Sequence, residues 1–139
     1  MSEDEWYEPM SFEIEVIKVK SPCRVNHKVG ETFKTEYQTP DKPICGEAYV
    51  GMYPLIYAMR VNGDMRQLGK KRKFETTSFC PSRVVQFKIR GFPKCNNCGK
   101  TVSDFSDLAP FTTQYTKHVC SECFEKLSST RNDDGVSQF

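Results

Sequence analysis

Residues 94–100 read Lys-Cys-Asn-Asn-Cys-Gly-Lys, and residues 120–124 read Cys-Ser-Glu-Cys-Phe. Two residues separate the cysteines within each pair, and 21 residues separate the pairs. This spacing lets both sulfurs of a pair approach one ion from a tight turn, and Gly99 permits the positive φ that such a turn needs. The pattern predicts one structural Zn²⁺ in a closed tetrahedron, with no position left open for a substrate. Its predicted ligands are Cys95, Cys98, Cys120 and Cys123.

The sequence between the pairs contains several β-forming residues, which favours a hairpin, and the second pair is followed by a helix-forming run. A CxxCG turn, a hairpin and a CxxC at a helix start resemble the treble-clef zinc fingers. Rubredoxin-type iron is the alternative metal, but such sites usually carry glycine in both turns, whereas Phe124 follows the second pair here. His118 precedes Cys120 by two residues and is interpreted as a neighbour of the site, not as a ligand.

The sequence Gly91-Phe92-Pro93 marks a boundary between two kinds of composition. Beyond it, residues 92–129 are too poor in apolar residues for an independent core, so we predict that the metal replaces that core. Before it, residues 11–91 have the composition of a small α+β domain. We further predict a flexible acidic arm at residues 1–10 and a disordered polar tail at residues 130–139.

Residues 11–91 alternate between strand-like and helix-like patterns. Apolar residues recur at every second position within residues 11–20 and 83–90, and residues 31–37 and 73–80 are also interpreted as strands. Apolar residues within 44–60 repeat at helical spacing instead, with Pro54 expected to kink or split the helix. The fold class expected for the whole chain is α+β: a small, mainly antiparallel sheet with one kinked helix, followed by a treble-clef-like zinc finger with four cysteine ligands. The predicted strands cover residues 11–20, 31–37, 73–80 and 83–90.

Three further cysteines lie in loops of the first domain. Cys23 shares a loop with His27, and Cys45 and Cys80 each adjoin a proline-containing breaker. One interpretation is that they are small buried residues at the ends of elements, as cysteine often is. The other is a second metal or thiol site assembled from separate loops. A cysteine nucleophile with His27 as its base belongs to this second interpretation, although no oxyanion motif is legible.

Three motifs within residues 12–90 stand out: the loop Cys23-x3-His27-x2-Gly30, the helix that follows Cys45 and contains Tyr53-Pro54, and the turn Cys80-Pro81 before the last strand. In these motifs the segment resembles a family of small uncharacterised prokaryotic proteins. The resemblance implies the fold and the positions of the cysteines. It implies no activity, because none is assigned to that family. The turn here reads Cys-Pro-Ser-Arg where the family often has Cys-Pro-Asp-Gly.

Residues 60–73 form a basic segment, with six Lys or Arg residues and a single acid, Asp64. Such a segment can neutralise nucleic-acid phosphates, contact an acidic protein surface or simply be solvated. No aromatic residues are interleaved with it as in nucleic-acid motifs. The candidate contacts are Arg66, Lys70, Lys71, Arg72 and Lys73.

The composition bounds the function of the chain. Of its 139 residues 37% are hydrophobic, which allows a packed core, and a net charge of +2 excludes a general polycation. The acidic N-terminus is unlike a secretory signal, no membrane segment is present, and seven cysteines is an odd number, so we expect a cytoplasmic protein with reduced thiols. The sequence favours a non-enzymatic zinc-binding accessory or interaction protein, a subunit of a protein or ribonucleoprotein complex. The alternatives are a metal- or thiol-dependent enzyme that uses Cys23, His27, Cys45 and Cys80, and a nucleic-acid-binding regulator.

Overall fold

The computed structural model describes residues 10–36, 38–103, 105–113 and 116–133. The chain separates into two compact units after Gly91. The predicted arm, apart from Met10, and residues 134–139 of the predicted tail lie outside the described residues. No helix in the described ranges is long and apolar enough to cross a membrane.

The first unit contains a four-stranded sheet with strand order β2-β1-β4-β3 and one long helix. β1 pairs antiparallel with β2, and β3 pairs antiparallel with β4. The predicted α+β class with a small antiparallel sheet is therefore confirmed. The elements are β1 (Met10–Val19), β2 (Thr32–Thr35), α1 (Gly46–Arg60), β3 (Glu75–Phe79) and β4 (Val85–Pro93).

The two central strands supply one side of the core. Side chains alternate across a strand, so every second residue of β1 and β4 points to the same face of the sheet. On β1 the buried face begins at Met10, which the sequence assigned to the flexible arm. The buried apolar residues of these strands are Met10, Phe12, Ile14, Val16, Val85, Phe87 and Ile89.

Helix α1 supplies the other side of the core. Its buried apolar residues, Ala48, Met52, Ile56 and Met59, are spaced by four, four and three positions, which places them on one face. Pro54 is exposed, and the helix continues through it to Arg60 as a single element instead of splitting. A proline removes only one backbone donor from the helix, and its ring lies on the exposed side here.

Arg60, at the end of α1, is buried, with only 3% of its surface exposed. Its guanidinium donates hydrogen bonds to the carbonyl oxygen of Glu36 and to the Tyr53 hydroxyl, and it lies 5.3 Å from the centre of the Phe12 ring. The sequence analysis counts Arg60 among the six cations of the basic segment. In the structure this cation is buried between the helix end and the sheet and does not add to the exposed charge.

The second unit consists of a short 3-10 turn, a hairpin and a helix. β5 (Ala109–Thr112) pairs antiparallel with β6 (Thr116–Val119), and α2 covers Ser121–Asp133. Residues 130–133, predicted to belong to a disordered tail, lie within α2. Extending an existing helix by one residue fixes few dihedral angles per hydrogen bond gained, so a polar sequence can continue a helix that is already formed.

Candidate metal centre

The first cysteine pair lies in a tight turn after β4. The Cys95 N–H donates to the Lys100 carbonyl at 2.8 Å, and the Gly99 N–H donates back to the Cys95 carbonyl at 3.0 Å. Gly99 has a φ of +80°, a conformation that residues with a Cβ rarely adopt. An isolated antiparallel β-bridge pairs Lys94 with Thr101 and closes the turn at its base. Local hydrogen bonding and the glycine thus bring both sulfurs of this pair to one side.

The second pair lies where β6 leads into α2. Cys120 directly precedes the helix, and its carbonyl accepts the Phe124 N–H at 2.8 Å, the first bond of the helical ladder. Cys123 is therefore in the first turn of α2. Three residues along a helix place two side chains on neighbouring positions of its surface, so both sulfurs point the same way.

The four sulfurs converge. The Sγ atoms of Cys95, Cys98, Cys120 and Cys123 all lie within 4.8 Å of one another. The Cys98 and Cys120 sulfurs are 3.9 Å apart. Tetrahedral coordination with zinc–sulfur bonds of about 2.3 Å requires sulfur separations of about 3.8 Å. The site can therefore hold one metal ion with small adjustments, as the spacing of the cysteines predicts.

Hydrogen bonds are directed at the sulfurs. The backbone N–H groups of Asn97 and Cys98 donate to the Cys95 Sγ at 3.3 and 3.4 Å, and the Asn97 side-chain amide donates to the Cys123 Sγ at 3.3 Å. These donors stabilise negative charge on sulfur and fix the orientation of the ligands around a bound ion. Asn97 is not a ligand itself, and the ligand spacing alone gave no reason to select it.

The pKa values of two thiols diverge strongly. Burial disfavours the Cys95 thiolate, but N–H donors from Cys98, Cys120 and Asn97 outweigh it and lower the pKa of Cys95 to about 6. The Asn97 amide favours the Cys123 thiolate, but burial and the three neighbouring thiols together raise its pKa to about 12. Clustered thiols resist a second negative charge in the absence of a cation. A divalent ion that accepts four thiolates removes this conflict.

The site is also the centre of the small unit. Three of its cysteines are buried, and the apolar residues buried around them are Leu108, Phe111 and Val119. His118 is joined to the first turn through its carbonyl oxygen, which accepts the Asn96 N–H at 2.9 Å. His118 is not among the four residues whose ligand atoms converge. Few apolar side chains support this unit, so an ion bound by the four sulfurs would add substantially to its stability.

The second set of sequence-predicted residues lines one cavity of about 520 Å³ in the first unit. Cys23, Cys45 and Cys80 all contribute to its wall, together with His27. In the described part of the chain, however, only the four-cysteine cluster of the second unit has three or more candidate ligand atoms within 4.8 Å of one another. The fold brings Cys23, His27, Cys45 and Cys80 to one place but not to the spacing of a shared metal ion.

His27 is engaged through both ring nitrogens. Its Nδ1 lies 2.7 Å from the Glu31 carboxylate, and its Nε2 accepts the Cys45 N–H at 3.1 Å. Its ring meets those of Phe33 and Phe87 edge to face, with centroids 5.5 and 5.8 Å apart. These contacts hold the residue before helix α1 against the loop that carries His27. Neither nitrogen is left to bind a metal or to take a proton from a cysteine.

The basic segment is partly neutralised. The Arg66 guanidinium makes hydrogen bonds with both carboxylate oxygens of Asp64, and the Lys70 ammonium donates to the Thr77 hydroxyl at 3.1 Å. Arg72 is 76% exposed and lies 3.7 Å from the Glu75 carboxylate. Lys71 is exposed as well, and Lys73 lies over the Phe74 ring. The exposed positive charge is therefore smaller than the sequence indicates.

No protein-family model, curated protein or solved structure matches this chain. The resemblance of residues 12–90 to a prokaryotic family therefore stays a prediction.

Proposed function

We propose that this chain is a zinc-binding accessory or interaction protein whose metal has a structural role. The observation that carries the proposal is the convergence of four cysteine sulfurs on one point. Four protein ligands complete a tetrahedron and leave no position for a substrate or for an activated water. Such a site stabilises a fold and is not suited to catalysis.

Zinc is the metal that this ligand set favours. Thiolate-only tetrahedral sites are typical of Zn²⁺ and of iron–sulfur proteins, and the two differ in their spectra. The arrangement of a CxxCG turn, the hairpin β5–β6 and a CxxC at the start of α2 supports a treble-clef-like finger. A cytoplasmic location, where thiols remain reduced, suits both the metal site and the three other cysteines.

An exposed apolar row on α1 supports a role in binding another protein. Val50, Tyr53 and Tyr57 are 73%, 37% and 45% exposed and follow one another at spacings of three and four residues. Residues at these spacings share one face of a helix. Tyrosine is enriched at protein interfaces because it combines a large apolar ring with a polar end.

Metal analysis tests the proposal directly. The protein purified from cells without added metal should contain one zinc per chain and lack the visible absorption of an iron–thiolate centre. Cys98→Ser should abolish stoichiometric binding because three thiolates no longer complete the tetrahedron, whereas Cys23→Ser is a matched control that should retain it. A colourless, metal-free wild-type protein that remains fully folded would refute the structural role.

The interaction role has its own test. Tyr57→Glu places a charge in the exposed row of α1 without entering the core, and Leu68→Glu places one at a site that is 61% exposed but outside α1. Proteins that copurify with the wild type should be lost with Tyr57→Glu and retained with Leu68→Glu. Equal recovery with both variants would exclude this helix face as the interface.

A purification with nuclease treatment separates protein partners from nucleic-acid partners, because only partners held through nucleic acid are lost.

The basic segment has a separate test. Lys71 and Arg72 are exposed cations of this segment that could contact phosphates. If they bind nucleic acid, Lys71→Ser with Arg72→Ser should weaken binding and flatten its salt dependence, since fewer counterions are released. Unchanged binding would assign the segment to the solvated surface.

A further inference from the structure

The cavity between the loops of the first unit has the size and lining of a small-molecule site. Its volume of about 520 Å³ falls within the range of about 300–1,000 Å³ that is typical of ligand pockets. The wall includes apolar residues such as Val85 and Phe87 and three cysteines from three separate segments of the chain. The proposed zinc function uses none of these cysteines.

Cys80 is the thiol in this cavity that the backbone activates. It begins a turn in which the N–H groups of Val84 and Val85 lie 3.3 and 3.4 Å from its Sγ. The turn is held by the Cys80 N–H, which donates to the Val85 carbonyl at 2.9 Å, and by Arg83, which adopts a φ of +60°. Cys80 is half-buried, so its sulfur is neither sealed in the core nor fully solvated.

The same donors affect the ionisation of this thiol. Burial disfavours the thiolate of Cys80, but the N–H groups of Val85, Val84, Ser82 and Arg83 outweigh it and lower the pKa below its ordinary value. The thiolate is the nucleophilic form of cysteine, and partly exposed thiols with lowered pKa values are the ones that react.

The rim of the cavity carries one charge of each sign. Arg24 and Glu47 both line the cavity, and both are exposed. A guanidinium matches a carboxylate, and a carboxylate matches an ammonium group. Amino acids and short peptides present this combination of groups.

We propose that this cavity binds a low-molecular-weight disulfide of the amino-acid or short-peptide type and that Cys80 reacts with it to form a mixed disulfide. The Cys80 thiolate attacks one sulfur of the ligand, a bond forms between the two sulfurs, and the disulfide bond of the ligand breaks. The second half of the ligand leaves with the electron pair as a thiolate and takes a proton from water. Cys80 is oxidised and the departing half is reduced, so no other oxidant is required.

The test uses zinc-loaded full-length protein with cystine as the probe and peptide mapping by mass spectrometry as the readout. Cys80 should acquire a single cysteinyl group about tenfold faster than Cys23 or Cys45, because the Val84 and Val85 N–H groups stabilise its reactive thiolate form. Mapping reports modification of the zinc ligands separately, so failure of the metal site and failure of this proposal are distinguishable. Equal rates at all three cysteines would overturn the proposal.

Charge recognition is tested with a neutral probe. Arg24→Gln and Glu47→Gln should each slow the reaction of Cys80 with cystine and leave its reaction with bis(2-hydroxyethyl) disulfide unchanged. Equal slowing of both reactions, or no slowing of either, would overturn the role of the cavity. The proposal would also be overturned if the protein bound a second metal ion tightly and lost it in Cys80→Ser, since the cysteines of the cavity would then be metal ligands. The mapping experiment uses wild-type protein and does not depend on how Cys80→Ser folds.

The pH dependence of the reaction gives an independent measure. Because the pKa of Cys80 is lowered, its thiolate persists to lower pH than that of an ordinary cysteine. The rate of Cys80 labelling by iodoacetamide should therefore reach half its maximum at a pH below about 8.5, the midpoint expected for a free thiol. A midpoint at or above that value would contradict the activation by the turn.

Discussion

Arg60 shows how a charged side chain is stabilised inside the first unit. Its guanidinium has acceptors at the Glu36 carbonyl and the Tyr53 hydroxyl and lies over the Phe12 ring. Burying a charge is costly unless hydrogen bonds and favourable contacts compensate for the lost hydration. Arg60 links the end of α1 to the chain that follows β2 and to β1, so it fixes where the helix ends relative to the sheet.

Replacing Arg60 should therefore destabilise the fold. We expect Arg60→Ala to lower the free energy of unfolding by about 2–3 kcal/mol, the loss typical of hydrogen bonds to a charged group in a buried setting. Arg72→Ala is the matched control, because Arg72 is 76% exposed, and its effect should stay within about 0.5 kcal/mol. Urea denaturation of both variants measures the difference. Equal, small effects would show that Arg60 is not essential to the packing.

Residue-level prediction succeeded where spacing decides the outcome. The two CxxC pairs can be read from the sequence because two intervening residues and Gly99 impose a local geometry. The burial of Arg60 could not be predicted from the sequence, because a basic residue near other basic residues gives no signal that it is buried. The bonds of His27 to Glu31 and to the Cys45 backbone depend on tertiary placement, which leaves no trace in spacing.

At the level of elements, the periodicity of apolar residues was informative, whereas boundaries were less so. The alternation on β1 and β4 and the helical stripe of α1 all reappear as buried faces. The ends of elements depend on a few local hydrogen bonds, so β2 is shorter than predicted and α2 continues into residues 130–133, which were predicted to belong to the tail. The 3-10 turn at Met65–Leu68 was missed, because Asp64 accepting the Arg66 N–H is a capping contact without a periodic pattern.

Helix α1 carries a glycine that can be replaced to advantage. Gly51 is exposed, has ordinary helical geometry, and a Cβ there would meet no other atom within 4 Å. Glycine within a helix costs about 1 kcal/mol relative to alanine because of its greater backbone freedom in the unfolded chain. Gly51→Ala should therefore raise the free energy of unfolding by about 0.5–1 kcal/mol, measured by urea denaturation.

Gly91 on β4 provides the opposite case. A Cβ there would lie 2.6 Å from the end of the Met10 side chain, 3.1 Å from the Phe12 ring and 3.3 Å from the Phe74 Cβ. Gly91→Ala should lower the free energy of unfolding by about 1–3 kcal/mol because the core is already filled. If Gly51→Ala destabilised the protein as much as Gly91→Ala, the assignment of exposed and buried positions would be contradicted.

At the scale of the whole molecule, the two units differ in how many apolar side chains they bury. The first unit has an extended apolar core formed by the sheet and α1. The second has Leu108, Phe111 and Val119 buried around the cysteines, with Val102 and Leu127 partly buried against them. Metal–thiolate bonds supply roughly 10–16 kcal/mol in isolated zinc fingers, more than so few apolar contacts can provide.

Removing the metal should therefore unfold one unit and leave the other folded. After treatment with a zinc chelator, we expect hydrogen exchange to accelerate in β5, β6 and α2 while β1, β4 and α1 keep their protection, because the core of the smaller unit is small and half of it is cysteine. Cys98→Ser should reproduce this pattern without a chelator, and Cys45→Ser, which removes a thiol of the first unit, should not. Retained protection of α2 in the metal-free protein would mean that its apolar contacts suffice. Equal loss of protection in β1 would mean that the two units unfold as one.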